Sequence, residues 1–324
     1  MTETNTAPQV SVLIAAWSAE QTLGRAIDSA LAQNVPLEVI VIDDASPDGT
    51  TRVADAAARG DPRVHVLRQA RNGGPAAARN AGLAVARAPW VTVLDADDFF
   101  CAPDRLAQLL TIAQAQAADF VADDLWKVAE ADPYGPRTAM LSQTPIGIQV
   151  LDAAGFVNGN LSARHGGRRE LGFLKPLMSR AFLTRHGLTY DPRIRLGEDY
   201  VLYARALIAG ARFVLSDAAG YAAVVRPGSL SGQHPTEAHE GLIAADRALL
   251  ALPDVDGPTR IALRAHLMEQ HKKWAWRRLI DAKGAANPAA AMACFWAPPA
   301  VIVDLITRLW GEVTTRIGRR LGAR

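Results

Sequence analysis

Over its N-terminal third the chain alternates short apolar runs with helix-periodic stretches, and this alternation narrows the possible folds more than any other feature. The runs at residues 10–15, 37–42, 64–67 and 90–94 have strand length and strand composition. Between them, residues 20–33 place Leu23, Ile27, Ala30 and Leu31 on one helical face. A second helix runs through Val53 and Ala57 after the turn residues 46–50, and residues 75–87 form an alanine-rich third. Strands alternating with helices imply a mainly parallel sheet with right-handed crossovers. Such sheets bind ligands beyond the carboxyl ends of their strands, so the residues just past each run decide the chemistry.

The fourth run ends in Asp95-Ala96-Asp97-Asp98. Three carboxylates so close repel one another unless a cation joins them, and hard oxygen ligands suit Mg²⁺ or Mn²⁺. A divalent ion held by few carboxylates fills its shell with substrate phosphates, which points to a nucleotide. The turn after the first run, residues 15–20, contains no glycine, and no Gly-x-x-x-x-Gly-Lys occurs. Dinucleotide and Walker-type ATP binding are therefore disfavoured. Trp17 and Asp43-Asp44 lie past the first two runs instead. An aromatic can stack on a base and a carboxylate can accept from a base N–H or a ribose hydroxyl. Ordinary packing for Trp17, and a turn or cap role for one of the aspartates, are the competing readings.

The 324 residues suffice for one large or two modest domains, with 49% apolar and 21% charged residues. A net charge of +2 gives no ground for nucleic-acid binding. Cys101 and Cys294 form no metal or redox pair, and His165, His186, His234, His239, His266 and His271 show no zinc spacing. The polar N-terminus lacks the features of a signal peptide. The most apolar stretch, residues 288–309, is broken by Pro298, Pro299, Asp304 and Arg308. A cytoplasmic protein is expected.

Further along, residues 104–117 read as a helix and residues 120–226 as mixed, with loop-like stretches at 132–136 and 165–169. A helix is expected over 198–209 and two strands over 213–215 and 219–225. After residue 234 the pattern is helical, through 238–250 and 259–282.

Four ordered motifs carry a resemblance. They are Val10-Ser11-Val12-Leu13-Ile14 with Trp17; Val41-Ile42-Asp43-Asp44-Ala45-Ser46-Pro47-Asp48-Gly49-Thr50; Arg71-Asn72-Gly73-Gly74-Pro75-Ala76-Ala77-Ala78-Arg79-Asn80; and Leu94-Asp95-Ala96-Asp97-Asp98. The chain resembles family 2 glycosyltransferases of the GT-A fold, among them bacterial exopolysaccharide enzymes of the succinoglycan-biosynthesis type, over residues 10–231. The resemblance implies an α/β fold, a Rossmann-like mixed sheet with flanking helices, followed by a C-terminal helical region. It implies a catalytic domain over residues 1–235, with a nucleotide-sugar half at 10–103 and an acceptor half at 104–235, then a helical region at 236–324.

The same resemblance implies roles. Ala15, Trp17 and Asp44 fall where the family holds the nucleoside, Trp17 standing in for the usual tyrosine. Asp95 falls on the ribose-contacting acid of the Asp-x-Asp motif and Asp97 on the metal-binding acid, with Asp98 able to share that ligation. Arg79 falls near the donor, its alternative being a solvated helix arginine. Glu198-Asp199 looks like the family's Glu-Asp pair, whose aspartate is the usual catalytic base. An acceptor hydroxyl needs such a carboxylate, although acids at a helix start also favour its positive end. Val225-Arg226-Pro227-Gly228-Ser229-Leu230-Ser231 resembles a segment in which a histidine often precedes the proline. Arg226 replaces it, which puts a third protein metal ligand in doubt and offers a charge for the leaving diphosphate. Residues 172–177 fall where acceptor-side residues are expected; Lys175 there reads as a surface lysine, its alternative being contact with acceptor or phosphate.

The implied activity is inverting, metal-dependent transfer of a hexose from UDP-glucose or UDP-galactose to a saccharide acceptor, lipid-linked, in exopolysaccharide synthesis. A nucleotidyltransferase would want a glycine-rich basic loop after the first strand, and a catalytically silent nucleotide- or saccharide-binding protein is the other alternative. Residues 301–324 carry five arginines against Asp304 and Glu312, a net +3, with apolar residues at helical spacing. Such a helix can lie on the inner face of the plasma membrane, pack on the catalytic domain or meet a second subunit.

Overall fold

A computed structural model describes residues 7–162, 169–226 and 235–321, and the chain divides into two compact units, Met1–Ser229 and Leu230–Arg324. The first unit opens with strand β1 (Val10–Ala16), helix α1 (Leu23–Leu31), β2 (Leu37–Asp43), α2 (Thr50–Gly60), β3 (Val64–Arg68), α3 (Pro75–Val85) and β4 (Trp90–Val93). β1 pairs in parallel with both β2 and β4, and β2 with β3. All of β2 and nearly all of β1 are buried, as expected for parallel strands covered on both faces. α3 lies unusually close to these strands. A Cβ on Gly82 would come within 2.8 Å of Ile42 Cδ1 and 3.1 Å of Leu13 Cδ2.

The unit continues with β5 (Phe99–Phe100), α4 (Arg105–Gln116), β6 (Phe120–Ala129), β7 (Asp132–Ala139), β8 (Gln149–Leu151), α5 (Ala153–Gly159), β9 (Leu177–Ser179), α6 (Arg180–Arg185), α7 (Glu198–Ile208) and β10 (Phe213–Val225). The sheet runs β3-β2-β1-β4-β9-β6-β10-β5, with β7 on β6 and β8 on β10. β9 is antiparallel to β4 and β6, while β6 and β10 are parallel, so the sheet is mixed. Phe120, Phe156, Tyr203 and Phe213 pack edge-on and tilted under this second half, and Tyr200 stacks on Phe156 at 5.8 Å. That cluster seats α7.

Residues 132–136, read as a loop from their Pro and Gly, belong to β7, which pairs antiparallel with β6 at the sheet margin, where a proline is tolerated. The two strands expected over 213–215 and 219–225 are one strand, β10, whose register against β6 shifts between Ser216 and Tyr221. Gly220 there has φ +134, and a Cβ would meet Ala102 Cβ at 2.5 Å.

The second unit is helical: α8 (Thr236–Leu250), α9 (Gly257–Gly284), α10 (Pro288–Ala293) and α11 (Pro299–Leu321). Asp256 caps α9, accepting from Thr259 N–H at 2.7 Å. A buried polar chain joins α8 to α9. His239 Nδ1 meets Gln270 Oε1 at 2.9 Å, Gln270 Nε2 meets His266 Nε2 at 3.1 Å, and His266 Nδ1 meets Asp246 Oδ2 at 2.7 Å.

Candidate active site

The carboxyl ends of β1, β2 and β4 lie side by side, with Ala16 opposite Asp43 and Leu13 opposite Val93. Ala15 is therefore backbone at the rim, and Trp17 comes just after it with 57% of its surface exposed. Such a ring is not core packing; its face is open for stacking. Asp43 and Asp44 are both buried. Asp43 accepts from Ser46 N–H at 3.0 Å and from the Thr51 hydroxyl, which ties the 46–50 turn to α2. Asp44 accepts from the N–H groups of Gly73 and Gly74, at 2.8 Å each, so one carboxylate clasps the whole glycine loop. Gly74 has φ +83, a conformation that favours glycine, and Pro75 then opens α3.

Arg79, on the second turn of α3, is 4% exposed. Its Nη1 donates to Glu198 Oε1 at 2.5 Å and Asp199 Oδ1 at 3.1 Å, and its Nη2 to Asp95 Oδ1 at 2.8 Å. Lys175 completes the arrangement: Nζ lies 2.8 Å from Asp199 Oδ2 and 3.1 Å from Asp95 Oδ2. Two cations thus join three carboxylates, linking the loop after β4 to the start of α7. Arg79 is thus a buried, ion-paired residue rather than a solvated one. Lys175 is not a surface residue: it is 5% exposed and belongs to the site.

The charges set one another. Burial pushes the Asp95 carboxyl up, but Lys175 and Arg79 outweigh it and hold the group at about 2. Burial works against the charged forms of Arg79 and Lys175, and their carboxylate neighbours raise both nonetheless. Glu198 is raised by burial, with Arg79 opposing. Gly197, φ +88, turns the chain into α7 so that Glu198 and Asp199 occupy its first turn. The helix-end reading and the network reading therefore hold together. Asn80 fixes the preceding loop to α3, exchanging hydrogen bonds of 2.8 and 2.9 Å with the Tyr190 backbone.

The loop after β4 is held from behind. Arg25 Nη2 donates to the Asp97 carbonyl at 2.6 Å, and Asp98 is tied to β10 by the Tyr221 hydroxyl and Val224 N–H, each at 2.8 Å. Each Asp98 oxygen thus already accepts one hydrogen bond inside the fold, and burial, then Asp95 and Asp97, push its carboxyl well up. Asp97 differs. Its side chain is 43% exposed, and Arg226 Nη2 is 3.6 Å away, while Arg226 Nε also lies 3.0 Å from Glu130. Burial and then Asp95 raise the Asp97 carboxyl despite Arg226. Residues 227–231 of the last motif lie outside the described residues, as do His165 and His234.

Among the described residues no three His, Cys, Asp or Glu side chains form a ready metal cage. Asp97 nevertheless fits a divalent cation: a hard oxygen donor at the solvent edge, crowded by two further acids. Most of the shell would come from phosphate and water, as Mg²⁺ commonly accepts.

Sequence comparison places this geometry in a class: residues 11–155 match the model of glycosyl transferase family 2, and the chain belongs to that family. It is a glycosyltransferase with a GT-A fold. The chain is 43% identical to succinoglycan biosynthesis protein ExoU of Rhizobium meliloti, covering 95% of this chain and 88% of that protein. It is 38% identical to ExoO of the same organism over 77% of this chain and 70% of the relative. Among solved structures, S. aureus TarS residues 1–349 in complex with UDP superposes with a TM-score of 0.64 at 19% identity, covering 96% and 92% of the two chains. The mannosyltransferase PcManGT of Pyrobaculum calidifontis, in complex with GDP-Man and Mn²⁺, gives 0.58 at 18% identity, covering 95% and 89%.

Proposed function

We propose that the protein transfers a hexose from UDP-glucose or UDP-galactose to a lipid-linked saccharide during assembly of a succinoglycan-like exopolysaccharide, with inversion at the anomeric carbon. The pathway is carried over from the names of ExoU and ExoO, and the uridine nucleotide gains support from the UDP complex of TarS. The observation that carries the reading is the shared ion network. Arg79 and Lys175 fasten the loop bearing Asp95 and Asp97 to the helix start bearing Asp199. Donor-holding and proton-accepting groups are then fixed in one frame before substrates arrive.

In this reading residues 1–235 form the catalytic domain and residues 236–324 an accessory helical region. The base stacks on Trp17 beside Asp44 and the rim at Ala15, and Asp95 accepts from the ribose. Asp97 would hold Mg²⁺ or Mn²⁺, which when bound would offset negative charge on the diphosphate. Asp98 serves that site chiefly by tying the loop to β10. Arg226 moves from Asp97 toward the diphosphate and stabilises the charge that develops as the sugar leaves. Asp199 takes the acceptor hydroxyl proton as that oxygen attacks the anomeric carbon in line. Glu198 and Lys175 keep Asp199 and Arg79 in register.

Asp199→Asn should lower transfer roughly 100-fold or more while leaving UDP binding within a few-fold. Unimpaired transfer by that variant would remove Asp199 from the role of base.

A further inference from the structure

The C-terminal helix α11 carries two apolar strips. Val301 and Leu305 are fully buried against Ala275 of α9 and Cys294. A second strip faces outward: Val303, Ile306 and Trp310 are 63%, 55% and 71% exposed, and Trp296, just before α11, is 93% exposed. At one hundred degrees per residue Val303, Ile306 and Trp310 fall on one side of the helix, away from Asp304 and Arg308. This strip is therefore not the one that the C-terminal unit uses for its own packing. An exposed apolar face of this kind marks an interaction site.

We propose that this face docks on an anionic phospholipid surface. The helix and the residues after it carry a net +3 from five arginines and two acids. Acidic headgroups answer that charge, whereas a second copy of the same helix would bring it against itself. Tryptophans beside aliphatic residues suit the headgroup boundary, where the ring is half in hydrocarbon and its N–H in water. None of the described helices is long and apolar enough to cross a membrane, so the contact lies along the surface. The proposal gives a lipid-linked acceptor a place to be met, but it rests on the C-terminal unit alone.

The test is flotation of the full chain with phosphatidylglycerol-containing vesicles and with pure phosphatidylcholine vesicles. The unmodified protein should float with the former and much less with the latter. The double variant Ile306→Glu/Trp310→Glu should lose binding at least about tenfold while hydrolysing UDP-sugar at the unmodified rate. Val303→Glu should act in the same direction, and as all three side chains are exposed, folding is unaffected. No binding to the acidic vesicles, or binding that the variants do not change, overturns the proposal. So does a dimer in solution that Trp310→Glu converts to monomer, which would assign the face to self-association. Absence of donor hydrolysis in every protein would count against the activity, and the vesicle result would still stand.

Discussion

Arg79 and Lys175 hold three carboxylates between them, the buried Glu198 and Asp199 and the half-buried Asp95, and no local pattern announces it. Lys175 sits between Leu174 and Pro176, where a lone lysine reads as solvated, and its partners Asp95 and Asp199 come from other parts of the chain. Arg79 was legible only through the motif around it; its contact with Glu198 spans 119 positions. Removing Lys175 leaves those carboxylates with one cation, and lost positive charge raises carboxyl pKa values. Lys175→Ala should therefore shift the acid limb of the pH–rate profile to higher pH, and Lys175→Arg should restore part of it. An unshifted limb in Lys175→Ala would mean the lysine only fills space. Asp97 yields a second expectation. Its carboxyl is raised by burial and Asp95, and metal needs the ionised form. Mn²⁺-dependent UDP binding should fall on acidification at a pH above that of an ordinary aspartate, and Asp97→Ala should abolish the metal dependence, as read by titration calorimetry.

At the scale of elements, the parallel half was readable because each of its strands is a short apolar run bounded by turns. The second half was not. β9 is three residues long, β7 contains two prolines, and β10 changes register midway, so none shows a clean period. The pair that anchors this half was equally hidden. Arg105 and Asp123 are fully buried, 2.6 Å apart, and Arg105 Nη2 also donates to the Lys175 carbonyl at 2.8 Å. One signal existed: an arginine opening α4 opposes the helix dipole, so a specific partner was to be expected. Arg105→Met strands a buried aspartate and should cost about 3–5 kcal/mol, a large drop in melting temperature. A change within about 0.5 kcal/mol would show the pair to be dispensable. Gly82→Val should cost about 1–3 kcal/mol by overpacking α3 against Ile42 and Leu13.

For the whole molecule, the sheet order and the ends of β1, β2 and β4 put every residue of the proposed site in the first compact unit. The second unit has its own buried cluster around Ala275 and its own polar chain between α8 and α9. Its existence was legible from helical periodicity, but its outward strip was not, since periodicity alone cannot say which apolar face a helix buries. Transfer of a hexose from a uridine nucleotide by this unit, through Asp97 and Asp199, can be read directly as nucleotide release. A panel of UDP- and GDP-sugars with Mn²⁺ should show release from a UDP-hexose by the unmodified chain, and loss of that release in both Asp97→Ala and Asp199→Ala. Release at the unmodified rate by either variant, or preference for a GDP-sugar, would contradict it.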